Sequence, residues 1–195
     1  QQFKDVPAYI RDLIHKCSVE YTDMPGCYVQ LALQLLSHTK HEVLFLTLNY
    51  DTLLESALRR VDSTLTYGDG RPHSEFDRYI RADRQAKVVK IHGSTNWFMR
   101  FARENSGTWH TALQSFDLRQ PAGDRLIYEP VDSVATQPLA DNGRPSDRHH
   151  LYPLMTAPLA GKGIAATVCP PDHLEFVTEF LRTCRKFLIV GTSGR

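Results

Sequence analysis

No run of apolar residues in this sequence is long enough to cross a bilayer: Val43-Leu44-Phe45-Leu46 is among the longest, where about 20 are needed. Paired cysteines are missing as well. Cys17, Cys27, Cys169 and Cys184 show no short spacing, so they read as reduced thiols of a cytoplasmic protein and not as a disulfide framework. Charge of one sign is not in excess: 23 basic residues face 22 acidic ones. A broad electrostatic footprint for nucleic acid or an anionic membrane is therefore not expected. The first residues, Gln1-Gln2-Phe3-Lys4-Asp5, carry neither a basic-then-apolar leader nor an initiator Met, and the expectation is a piece of a longer protein. There is no internal repeat and no low-complexity tract. What is left, 195 residues with 42% hydrophobic and 23% charged, suits one ordinary globular domain with a full core.

Hydrophobic periodicity predicts a helix over 29–37 and a strand at Val43-Leu44-Phe45-Leu46, continuous in apolar residues and so expected to be buried on both faces. Asn49-Tyr50-Asp51 then leads into a helix over 52–60 whose inner side carries Leu53, Leu54, Ala57 and Leu58. Arg78, Arg81 and Arg84 recur at helical spacing and read as a solvated helix face. Val88-Val89-Lys90-Ile91 is a second short strand, ending at His92-Gly93. The stretch 103–148, with its Pro and Gly clusters, predicts an irregular insertion or small subdomain around 98–150. Pro170-Pro171-Asp172 announces a helix to about Cys184, and Phe187-Leu188-Ile189-Val190 is expected to be a third buried strand. Three β-rich runs with helices beside them predict an α/β fold, a Rossmann-like parallel sheet with helices on both faces.

Ligands of such sheets bind beyond the carboxyl ends of the strands. That rule selects 47–51, 92–96 and 191–194. Each place has a plain structural reading. Asn49 or Asp51 can cap the following helix. His92 can be a satisfied structural histidine. Gly191-Thr192-Ser193 can be a tight turn, or a loop presenting amides to a phosphate. The signal lies in all three falling at strand ends of one sheet. Gly161-Lys162-Gly163-Ile164-Ala165-Ala166 fits a dinucleotide pattern, but prolines on both sides deny it the strand–turn–helix setting that gives the pattern meaning. Cys169, His173 and Cys184 do not form a metal site. On one helix His173 and Cys184 lie about 16 Å apart at roughly 1.5 Å per residue, too far to share an ion.

Phe45-Leu46-Thr47-Leu48-Asn49-Tyr50-Asp51-Thr52-Leu53-Leu54-Glu55 resembles the strand, Asn-x-Asp turn and helix of sirtuin-like (silent-information-regulator-like) proteins, and is nearest to a bacterial branch with Thr-Asn-Tyr-Asp followed by Leu-Glu. Lys90-Ile91-His92-Gly93-Ser94-Thr95-Asn96-Trp97 and Leu188-Ile189-Val190-Gly191-Thr192-Ser193 are similar to two further motifs of that branch, in the same order. The resemblance covers about 43–193. It departs from classical sirtuins in having Leu48 where they place Gln and in lacking their two Cys-x-x-Cys pairs. The family's glycine-rich loop, which cradles the NAD pyrophosphate, would lie upstream of Gln1.

The resemblance implies a single NAD-binding domain over 1–195. It implies Asn49 at the ribose and a water, Asp51 on the nicotinamide side, and His92 as general base. Thr47, Gly93, Ser94, Gly191, Thr192 and Ser193 are the implied substrate-binding residues, with NAD as substrate and no metal. The implied reaction is NAD hydrolysis to ADP-ribose and nicotinamide, in bacterial antiviral defence. Protein deacylation and non-catalytic sensing of NAD or ADP-ribose are the alternatives. Further domains of the same chain and a homo-oligomer are the expected partners, and the chain alone is expected to be a poor enzyme.

Overall fold

A computed structural model describes residues 6–23, 26–62, 79–102, 126–128, 149–156 and 168–190. In chain order these form α1 (Val6–Thr22), α2 (Cys27–His38), β1 (Val43–Thr47), α3 (Leu53–Val61), β2 (Ala86–Lys90), β3 (Gly93–Ala102), β4 (Leu126–Tyr128), β5 (His149–Met155) and α4 (Pro171–Thr183). β1 and β2 pair in parallel, with Val43 opposite Ala86 and Thr47 opposite Lys90. α3 connects them, since parallel neighbours need a crossover and not a hairpin.

β2 is buried along its whole length, and its side chains alternate between two faces with the period of two that a strand imposes. Ala86 and Val88 join Ala32 of α2, Leu54 and Leu58 of α3, Trp97 of β3 and Leu154 of β5. Val89, one residue on, packs with Cys169 and Val177 of α4 on the other face. Helices thus cover both faces of the parallel pair, and the architecture is Rossmann-like α/β. Each fully buried aliphatic side chain contributes about 1.5–3 kcal/mol, so this two-sided burial, more than strand propensity, holds β2 in place.

A second sheet, antiparallel and ordered β4-β3-β5, grows directly out of the end of β2. The link is Gly93, with φ of +85°. A Cβ there would stand 1.9 Å from the Leu154 carbonyl oxygen of β5, so only glycine lets the two backbones approach. α1 packs on β3, β5 and α3, and from it the buried Arg11 sends Nε to the Thr95 carbonyl at 2.6 Å.

Three sequence expectations need correction. β1 is not buried on both faces: Leu44 and Phe45 do reach the two core clusters, but Leu46 is 43% exposed. Among the described residues β1 pairs on one edge only, and of its five residues Leu46 alone is exposed. Phe187-Leu188-Ile189-Val190 form no strand and are 64–76% exposed. An apolar run becomes a strand only where a neighbouring strand offers its N–H and C=O groups, and among the described residues none lies beside this one. Arg81 and Arg84 lie in a turn and not on a helix, both near Asp83, at 2.6 and 3.9 Å. Arg78 and the Gly161–Ala166 segment lie outside the described residues, as does most of 98–150, although β3 and β5 supply strands at its margins and β4 one within it.

All four cysteines are free thiols. Cys17 and Cys27 are exposed, Cys184 is half-buried, and Cys169 is buried. Burial pushes the Cys169 thiol up to about 12, so at pH 8 its thiolate, the reactive form, is scarce. Titration of the folded protein with an aromatic disulfide reagent at pH 8 is expected to label Cys17 and Cys27 quickly and Cys169 only after denaturant is added. Labelling of Cys169 at the rate of Cys17 would show that the cluster around β2 and α4 opens freely.

Candidate active site

The in-register parallel pair sends two turns out of the same end of the sheet, 48–52 after β1 and 91–92 after β2. They are tied to each other through the backbone. Ile91 N–H donates to the Thr47 carbonyl at 3.3 Å, and Thr95 N–H donates to the Tyr50 carbonyl at 2.9 Å. The Ser94 hydroxyl donates to the same Tyr50 carbonyl at 3.3 Å. A second tie runs through Thr156, just past β5. Its N–H and hydroxyl donate to the His92 carbonyl at 3.0 and 3.3 Å, and its own carbonyl accepts from the Tyr50 hydroxyl. The rings of Tyr50 and His92 stand 6.5 Å apart, centroid to centroid.

Within this frame the side chains do different things. Asn49 is exposed, and its amide Nδ2 donates to the Tyr28 hydroxyl of α2 at 3.0 Å. Asp51 Oδ1 accepts the Leu53 N–H at 3.0 Å, the bond of a residue leading into a helix N-terminus. Thr47 Oγ1 accepts the Asn49 N–H at 3.1 Å and shapes the turn from within. Ser94 is fully buried against Tyr50, and Gly93 is held by β5. His92 is half-buried, and its Nδ1 is enclosed with no hydrogen-bond partner. The hydroxyl of Thr95 and Oδ1 of Asn96, both buried, also lack partners, and a buried polar atom left so costs about 1–3 kcal/mol. Gly191, Thr192 and Ser193 lie outside the described residues.

Several participants were not singled out from the sequence. Tyr28 enters from α2. Burial raises its phenol above the usual tyrosine range, the Asp51 charge adds to that, and the hydrogen bond from Asn49 opposes it. The phenol is therefore neutral near pH 7 and available as donor or acceptor beside Asn49. Lys90 and Glu55 form a buried ion pair under the 49–51 turn. A lysine inside the apolar run Val88-Val89-Lys90-Ile91, and a glutamate on the inner face of α3 next to Leu54, were the signals available. Among the described residues no group of three or more His, Cys, Asp or Glu could hold a metal ion, and no helix is long and apolar enough to cross a membrane. His173, instead of facing Cys184, stands 5.9 and 6.0 Å from the rings of Tyr79 and Trp97.

Residues 43–120 match the family described as SIR2-like domain. The match takes in β1, both turns and β2, less than half of the chain. It supports a sirtuin-like kinship and an NAD-related function in general. No curated protein and no solved structure matches the chain.

Asn49 and Asp51 separate cleanly in stability. Asp51→Ala removes the bond to the Leu53 N–H and is expected to cost ~1 kcal/mol, the usual net worth of one intramolecular hydrogen bond. Asn49→Ala touches an exposed side chain and is expected to stay within about 0.5 kcal/mol. Urea denaturation of both variants checks this, and equal losses would mean that the Asn49–Tyr28 bond carries more of the fold than its exposure implies.

Proposed function

We propose that the complete protein is an NAD⁺ hydrolase that cleaves the nicotinamide–ribose bond and releases ADP-ribose and nicotinamide, with a role in bacterial antiviral defence. The observation that carries the reading is the convergence of an exposed carboxamide, a carboxylate and an imidazole with an unpartnered nitrogen on two turns bonded to each other at the carboxyl end of a parallel sheet. Cleavage of that bond leaves positive charge on the ribose and a neutral leaving group, so the site must stabilise a cation and direct a water, while no acid is needed for departure.

Each side chain suits one of these tasks. Asp51 keeps a second carboxylate oxygen without a hydrogen bond among the described residues, and a fixed negative charge favours the developing cation. Asn49, steadied by Tyr28, can orient a ribose hydroxyl or a water through its amide. His92, with an imidazole nitrogen that no protein group engages, can take a proton from either. The enclosed polar atoms of His92, Thr95 and Asn96 fit a ligand rich in hydroxyl and amide groups. The SIR2-like match supports NAD as that ligand.

Chromatography of NAD incubated with the full-length protein tests the reading. Free ADP-ribose and nicotinamide in equal amounts are expected, and O-acyl-ADP-ribose in the presence of an acylated peptide would replace hydrolysis with deacylation. His92→Ala is expected to retain the fold and lose about 10²–10⁴-fold in turnover, the usual cost of a general base. Turnover within about threefold of wild type, far inside that range, would remove His92 from the mechanism.

A further inference from the structure

Lys90 is the last residue of β2, and its side chain is 1% exposed. Its ammonium donates to Glu55 Oε1 at 3.0 Å and also to the backbone carbonyl of Asp51. Glu55 is equally buried, at 2%. The Tyr79 hydroxyl donates to the same carboxylate oxygen at 3.5 Å, and Trp97 Nε1 donates to Tyr79 at 3.4 Å. The second oxygen, Glu55 Oε2, is buried without a partner.

This arrangement is poorly suited to stabilising a fold. Taking two charges out of water costs more than their attraction returns unless every remaining polar atom is satisfied, and an apolar pair of the same volume often serves as well or better. Glu55 Oε2 is not satisfied. The pair does, however, reach one atom that nothing else holds. The first bond of the α3 ladder runs from Ser56 N–H to the Thr52 carbonyl, so the Asp51 carbonyl lies outside the ladder and Lys90 is its partner. One ammonium thereby ties the turn, the first full turn of α3 and the end of β2 together. Tyr50, one residue earlier, is held through its carbonyl by Thr95 and Ser94. Two successive carbonyls are thus pinned, and the side chains of Asn49 and Asp51 are held by Tyr28 and by the Leu53 N–H.

We infer that Lys90, with Glu55 as its counter-ion, is a positioning residue for the Asn49–Asp51 turn. A charged donor makes a stronger and more directional bond than a neutral one. Glu55 neutralises it, so the donor does not leave net positive charge beside a centre where positive charge builds up. The inference rests on the turn being the reactive centre proposed above.

The test uses the full-length protein with Lys90→Met alone and with Lys90→Met and Glu55→Leu together. The single variant strands a buried carboxylate and is expected to destabilise the protein. The double variant is expected to melt cooperatively near the wild-type temperature, to leave KM for NAD within a few-fold, and to lose about 10²-fold in kcat, the scale of a misplacement of about 1 Å. Amide hydrogen exchange supplies a readout independent of turnover: Leu53 and Thr95, whose N–H groups bind the turn, should exchange at least tenfold faster in the double variant while Val88 and Val89 keep their protection. A double variant with wild-type kcat and unchanged exchange at Leu53 and Thr95 overturns the inference. So does one that no longer melts cooperatively, since the pair would then hold the fold and not the turn. Should the wild type cleave no NAD, the proposed reaction falls and the exchange pattern alone decides the role of Lys90.

Discussion

Thr47 of β1 lies opposite Lys90 of β2 in a parallel ladder, and the rest of the site depends on that register. Parallel strands release their chains at the same end. With Thr47 and Lys90 level, residues 48–52 and 91–95 emerge side by side, close enough for Ile91 to bond Thr47 and for Thr95 to bond Tyr50. A slip of one residue would carry Val88 and Lys90 to the opposite face of the sheet, because side chains alternate with a period of two. Lys90 would then point toward the apolar cluster of Cys169 and Val177, and Val89 would be driven against Glu55. Burial of β2 on both faces thus enforces the register through apolar area, and Lys90 meets Glu55 only in that register.

The parallel pair and its crossover were readable from the sequence because their signals are local. A continuous apolar run, a polar turn and a helix with a clear inner side fall within 43–61, and α3 begins within a residue of its expected start. The antiparallel sheet was not readable in the same way. β3 begins at Gly93, inside a segment that looks like a site loop, and pairs with β5 more than fifty residues later. Nothing in residues 149–155 announces that partnership, and Pro153 argues against a strand unless its partner is known. Phe187-Leu188-Ile189-Val190 is the converse case, a run with strong strand composition that forms no strand. Both errors have one origin: pairing is non-local, and composition only grades how well a residue would suit it.

For the site, position was legible and service was not. The strand-end rule finds Asn49, Asp51 and His92 without knowing what they bond. It cannot separate Ser94, whose hydroxyl turns inward to Tyr50, from Asn96, whose buried oxygen has no protein partner. Nor does it find Tyr28, which reaches the site from a helix that precedes β1. Lys90 sat in plain view inside an apolar strand, where an ammonium is costly unless something repays it. A charged residue at a position that periodicity assigns to the core is a local signal of a long-range partner, and Glu55 on the inner face of α3 was its mate.

For Asp51 a structural bond and the proposed chemical role need not compete. From the sequence the two look like alternatives. In the structure one carboxylate oxygen accepts the Leu53 N–H while the other makes no hydrogen bond among the described residues. The bond to Leu53 fixes the carboxylate plane relative to α3, Lys90 fixes the backbone that carries it, and the other oxygen is left with few orientations. A carboxylate on a mobile loop would have to surrender that rotational freedom on every encounter with a substrate, whereas here the loss has already occurred on folding. The bond to Leu53 and the bond from Lys90 thus act on one residue, the first on its carboxylate and the second on its backbone.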